Sequence, residues 1–220
     1  MAHIFFDLDG TLVDSFPGIE YSAQCAVTSV LPDRVIPDFR SFIGPPIREV
    51  FRRALGEDRA EILRELELAF RKSYDGAGLR RTQAFPGVPE ALATVRELGF
   101  QCHVLTNKPQ RATQEILQNL SLISFFDGVV TPDSRLPAYT TKTEAALATS
   151  RKLGLSGPET LLVGDSADDA AAAAACGFRF AAVCFGYGNA HRECVSEVHF
   201  RLESFGELLH ICEPLTILNR

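Results

Sequence analysis

Five short apolar runs, at residues 3–6, 101–105, 128–131, 160–163 and 180–184, alternate with stretches of helical periodicity at residues 88–98, 110–120, 143–153 and 168–176. Runs of four or five residues suit strands, whereas the intervening segments of nine to eleven, closed by Gly99, Gly154 and Gly177, suit helices with glycine stops. Strand and helix in strict alternation leave little choice of architecture. Each crossover helix must return over the sheet, so the strands run parallel and both faces are covered. The expectation is an α/β fold with a doubly wound, Rossmann-like parallel sheet.

One stretch breaks the rhythm. Between residues 16 and 82 no strand pattern occurs, and helical patterns stand at residues 18–30, 47–54 and 58–74, punctuated by Pro32, Pro37, Pro45 and Pro46 and closed by Gly76 and Gly78. A helical block after the first strand reads as an inserted domain, which places an α/β core at residues 1–14 and 83–220 and a small all-helical domain at 15–82. The 220 residues are 46% hydrophobic and 23% charged, enough for such a core and not a composition of disorder.

Charge and cysteine usage exclude several function classes. A net charge of −6 gives no cationic surface for a nucleic-acid backbone, although a local cationic pocket can still take a small anion. The apolar stretch before Asp7 is too short for a signal peptide, and no run approaches the roughly 18 apolar residues of a membrane span. Six cysteines without a Cys-x-x-Cys pair read as buried thiols. A cytoplasmic protein, monomeric or homodimeric, is expected.

The chemistry begins where the first strand ends. In Phe5-Phe6-Asp7-Leu8-Asp9-Gly10-Thr11-Leu12 two aspartates follow a buried strand at i and i+2. Carboxylates beside an apolar core are costly unless a metal, hydrogen bonds or a reaction occupies them. At the carboxyl end of a strand in a doubly wound sheet they would face the crevice where ligands bind. This string resembles the first motif of the haloacid dehalogenase superfamily of phosphohydrolases, a hydrophobic strand followed by D-x-D-G-T. The resemblance implies that Asp7 attacks phosphorus, forming an aspartyl phosphate, and that Asp9 protonates the leaving oxygen and then activates the hydrolytic water. Gly10 would supply the tight turn and approach the phosphate. Asp9 also separates the chain from the dehalogenase branch, which lacks that second aspartate.

Three further motifs follow in the family's order. Val104-Leu105-Thr106-Asn107-Lys108-Pro109 resembles the second, in which the Thr106 hydroxyl and the N–H groups near Asn107 would hold phosphoryl oxygens at the start of a helix. Taken alone, Thr106 reads more readily as an N-cap, and its place in the motif order reverses that. Lys142, in Tyr139-Thr140-Thr141-Lys142-Thr143-Glu144, fits the charge-neutralising lysine of the third, with Thr143 where relatives often carry proline. Leu161-Leu162-Val163-Gly164-Asp165-Ser166-Ala167-Asp168-Asp169 resembles the metal motif. It implies Mg²⁺ held by Asp165, an oxygen of Asp7 and the Asp9 carbonyl, with Asp169 behind or beside them. Asp168 is expected to face solvent or to favour the helix N-terminus by its charge. The alanine run at 170–175 reads as a helix packed closely on the sheet.

The inserted helices resemble the cap of the phosphoglycolate phosphatase-like branch, which closes over the site and reads the substrate. Within Phe42-Ile43-Gly44-Pro45-Pro46-Ile47-Arg48, Arg48 could meet a substrate carboxylate or second phosphate, or stand as an ordinary surface arginine. Phe185-Gly186-Tyr187-Gly188 resembles a glycine-rich loop of relatives and is assigned no catalytic role. The resemblance as a whole implies a Mg²⁺-dependent phosphatase for a small phosphorylated metabolite, phosphoglycolate or a nucleoside monophosphate. A sugar-phosphate phosphotransferase or mutase is the alternative within enzymes, and a non-catalytic binding protein on the same scaffold the alternative outside them.

Overall fold

The computed structural model describes residues 2–42, 46–155, 157–194 and 196–217. The chain divides into two units, Met1–Asp14 with Ala84–Arg220, and Ser15–Gln83. It opens with strand β1 (His3–Phe6). The second unit then supplies helices α1 (Phe16–Val30), α2 (Ile47–Leu55) and α3 (Ala60–Ser73). The first unit resumes with α4 (Val88–Glu97), β2 (Gln101–Leu105), α5 (Gln110–Asn119) and β3 (Gly128–Val130). It continues through α6 (Lys142–Leu153), β4 (Thr160–Gly164), α7 (Ala167–Cys176) and β5 (Arg179–Val183). The short α8 (Ala190–Glu193), β6 (Phe200–Leu202) and α9 (Leu208–Ile217) complete it.

The six strands form one parallel sheet in the order β3-β2-β1-β4-β5-β6. That is the doubly wound arrangement, in which the direction of winding reverses between β1 and β4. The alternation in the sequence produces it directly. Side chains of a strand point alternately to opposite faces, and here both faces are apolar. Phe5, Leu162, Phe180 and Ala182 bury one face against Ala145 and Ala146 of α6 and Ala170, Ala172 and Ala173 of α7. Phe6 faces the other way, its ring near those of Phe126 and Phe205. The small alanines let α7 lie close to the sheet. The expected strands and helices are all present within a few residues, and α8, β6 and α9 are additions to them.

The helical unit has its own core. Phe39 meets Phe51 edge to face, Phe51 meets Phe70, and Phe70 stacks on Tyr74. Helix α1 packs along α3. All six cysteines are free thiols, but only Cys102 and Cys212 are buried; Cys25, Cys176, Cys184 and Cys194 are partly exposed, which corrects the expectation that all six are buried. Among the described residues no helix is long and apolar enough to cross a membrane.

Candidate active site

The carboxyl ends of β1, β2 and β4 place the first, second and fourth motifs side by side. Phe6 pairs with Val104 on one side and Val163 on the other, so Asp7, Thr106 and Asp165 each lie just beyond the edge of the sheet. The Asp7 N–H still donates to the Val163 carbonyl at 2.9 Å, which holds the aspartate's backbone in register with β4. The site therefore stands where the winding reverses, the position at which such sheets bind ligands.

Asp7, Lys142, Asp165 and Asp169 are all buried. Lys142 Nζ donates to Asp7 Oδ1 and to Asp169 Oδ1, each at 2.7 Å. Thr141 caps α6 by accepting from the Glu144 N–H, so Lys142 sits at the first residue of that helix and reaches back across the strand ends. Asp169 is held from the other side as well. Its Oδ2 accepts from the Ser166 N–H at 3.0 Å and the Ser166 hydroxyl at 2.6 Å, completing a capping box at the start of α7. Asp165 Oδ2 accepts from the backbone N–H groups of Tyr187 and Gly188, at 2.7 and 2.8 Å.

Oxygens of Asp7, Asp165 and Asp169 lie within 4.8 Å of one another. One ammonium thus faces three carboxylates. Burial raises the pKa of Asp7, Lys142 opposes that rise, and repulsion from Asp169 and Asp165 adds to it. Burial likewise raises Asp165, with Asp169 repelling it and the two N–H donors acting against the shift. Burial disfavours the Lys142 cation, yet Asp169 and Asp7 beside it hold its pKa well above the usual value. The surplus negative charge falls on Asp7 and Asp165. A cation that takes hard oxygen ligands fits this donor set, because it would relieve the repulsion that Lys142 alone leaves.

Gly10 and Gly164 show how tightly the carboxylates are enclosed. Gly10 has φ +82°, and a Cβ there would stand 2.2 Å from Asp165 Oδ2. A Cβ on Gly164 would stand 2.4 Å from Asp169 Cγ. Any larger residue would displace the carboxylate it touches.

The remaining predicted residues are distributed more loosely. Thr106 is buried and its Oγ accepts from the Lys108 N–H at 3.2 Å. Asn107 Nδ2 donates to Asp168 Oδ2 at 3.2 Å, and Asp168 is exposed in the first turn of α7. Asp9 is outside the three-carboxylate cluster, and both its oxygens are engaged by Lys108 Nζ, at 3.0 and 2.8 Å. Arg48 is exposed on α2 in the helical unit. Ile43, Gly44 and Pro45 of its loop lie outside the described residues.

Two contributions went unassigned in the sequence. Lys108 was legible as part of the second motif, but its pairing with Asp9 joins residues 99 positions apart. The Tyr187 and Gly188 amides act through backbone, and the spacing Gly186-Tyr187-Gly188 was their one visible signal. Tyr187 also donates its hydroxyl to Asp14 Oδ1 at 2.5 Å, which anchors that loop over the carboxylates.

Known proteins share this arrangement of sequence and fold. The chain is 30% identical over 194 residues to a phosphoglycolate phosphatase from Nitrosococcus oceani, covering 86% of this chain and 85% of that one. It is 32% identical over 192 residues to a phosphoglycolate phosphatase from Nitrosospira multiformis, covering 84% of each. The solved structure of a haloacid dehalogenase-like family hydrolase from Streptococcus pneumoniae superposes with a TM-score of 0.84 at 25% identity, covering 96% of this chain and 98% of that one. The sequence pattern of haloacid dehalogenase-like hydrolases matches residues 4–183, which takes in all four motifs and the inserted helices. The chain belongs to the haloacid dehalogenase-like hydrolase family, as a phosphatase-type member.

Proposed function

We propose that this chain hydrolyses a small phosphomonoester with the help of Mg²⁺, through a covalent phosphoryl group on Asp7. The observation that carries the reading is the buried Asp7–Lys142–Asp169 chain beside Asp165, which leaves a carboxylate nucleophile next to an unsatisfied negative cluster. Asp7 Oδ attacks phosphorus as the bond to the leaving oxygen breaks, and Asp9 supplies that oxygen with its proton. Water then attacks the phosphorus of the aspartyl phosphate while Asp9 takes up the water's proton, which returns Asp7 as a carboxylate. The Thr106 hydroxyl and nearby N–H groups hold the phosphoryl oxygens, and Lys142 balances charge as the phosphoryl group arrives.

Asp7, Asp165 and the Asp9 carbonyl are the groups assigned to Mg²⁺. Both oxygens of Asp169 are engaged, Oδ1 by Lys142 and Oδ2 by Ser166, so Asp169 is assigned to orienting the site. When bound, the ion offsets the repulsion between a carboxylate nucleophile and a phosphate dianion.

Phosphoglycolate is the leading substrate, because the curated relatives at 30–32% identity carry that activity in their names. Arg48 is the candidate for its carboxylate, and the helical unit is assigned the part of a substrate-reading cap. Free thiols and the lack of a membrane-crossing helix among the described residues support a cytoplasmic setting. Phosphate release with Mg²⁺ on a panel holding phosphoglycolate, nucleoside monophosphates and hexose phosphates tests the reading. Fastest turnover of phosphoglycolate is expected, and no turnover of any member would overturn it.

A further inference from the structure

Lys108 is nearly buried, its side chain 8% exposed, while the Asp9 side chain it grips is 26% exposed. Its backbone is fixed from two directions. The Lys108 N–H donates to Thr106 Oγ, and the Lys108 carbonyl accepts from the Thr113 hydroxyl at 3.4 Å, within the first turn of α5. The ammonium thus approaches Asp9 from a rigid strand–helix junction that also carries Thr106. A largely buried ion pair is weak evidence for stability, because withdrawing its lysine from water costs free energy that the pairing scarcely repays. Stability is therefore a poor reason for the arrangement, and geometry is a better one.

From this geometry we propose that Lys108 is the positioning residue for Asp9, fixing the carboxyl group that moves the proton. The inference rests on the phosphatase reading above. An ammonium has three donors and a carboxylate two oxygens. Lys108 can keep hold of one Asp9 oxygen while the other gives its proton to the leaving oxygen and later receives one from water. Lys142 is engaged elsewhere, its ammonium donating to Asp7 and Asp169.

The test is a double-mutant cycle on turnover of an alkyl phosphomonoester by the full chain with Mg²⁺. Lys108→Met is expected to lower kcat by about 10- to 100-fold, less than the roughly 10²–10⁴-fold of a general acid–base group itself because Asp9 stays in place, with KM changed by less than about threefold. Lys108→Arg should recover part of the loss. In an Asp9→Asn background, Lys108→Met should cost little more, because both changes remove one function. Losses that multiply, a wild-type kcat in Lys108→Met, or a raised KM with kcat unchanged would each overturn the assignment, the last by making Lys108 a direct substrate ligand. Asp7→Asn run in parallel separates the two levels. If it abolishes turnover while Lys108→Met keeps the wild-type kcat, the phosphatase reading stands and the Lys108 assignment falls; if the wild type itself releases no phosphate, both fall.

Discussion

Asp169 illustrates how single residues here carry two duties. Its Oδ2 closes the cap of α7 through Ser166, and its Oδ1 accepts a hydrogen bond from Lys142 Nζ. Ser166→Ala should therefore cost about 1 kcal/mol of stability, the usual value of an N-cap. It should also lower kcat, because the carboxylate that orients Lys142 loses its own anchor. Chemical denaturation and steady-state kinetics on the same preparation would check both. Gly164→Ala places a methyl group into the Asp169 carboxylate and should destabilise by about 1–3 kcal/mol, as overpacking does. A Gly164→Ala protein with unchanged kcat and unchanged stability would show that the carboxylate has room to move. Asp7, Asp9 and Asp165 stand out in the sequence because they follow apolar strands, whereas Lys142 and Asp169 stand on helices and are marked only by the order of the motifs. The Lys108–Asp9 pair could not be read there, because nothing local in either segment encodes a contact made across the sheet.

At the scale of elements, the sheet imposes constraints unrelated to catalysis. His103 on β2 is buried, stacked on Phe5 and on His3, with His3 Nδ1 3.1 Å from its Nε2. Burial lowers its pKa to about 4, the neighbouring His3 adds to that, and Asp127 and Arg96 act in opposite senses. Between its ordinary value of 6.5 and about 4 the unfolded chain holds a proton on this residue that the folded chain lacks. Stability must then fall as pH drops through that window. His103→Leu removes this contribution, so its loss of stability from pH 6.5 to 4 should be shallower than that of the wild type, as thermal midpoints would show. Equal slopes would mean that His103 is protonated without penalty. The same scale explains what the sequence hid. β6, Phe200-Arg201-Leu202, is interrupted by an arginine at the sheet's edge, so no apolar run stands out, and α9 follows it without a distinctive periodicity. β1, β2, β4 and β5 were legible because, buried on both faces, they read as continuous apolar runs.

Across the whole molecule, the division of labour follows the connectivity. All the catalytic candidates belong to the unit formed by Met1–Asp14 and Ala84–Arg220, and the inserted Ser15–Gln83 contributes Arg48. The groups proposed for the chemistry stand near strand ends, whereas the helices of Ser15–Gln83 carry no comparable sequence signature for a substrate. Binding of a divalent ion to the native state alone must stabilise it, by about 2.7 kcal/mol at a concentration 100 times Kd. EDTA should accordingly lower the thermal midpoint and abolish turnover, and Asp165→Asn should erase the Mg²⁺-dependent shift in midpoint. An unaltered shift in Asp165→Asn would place the ion elsewhere.

The central claim is that Asp7 becomes phosphorylated during turnover, and mass spectrometry of acid-quenched protein tests it most directly. Quenching within the first turnovers with Mg²⁺ and phosphoglycolate should place one phosphoryl group on the peptide containing Asp7, and Asp7→Asn should show neither that adduct nor turnover. Rapid phosphate release with Asp7 never modified, or near wild-type turnover by Asp7→Asn, would contradict the account.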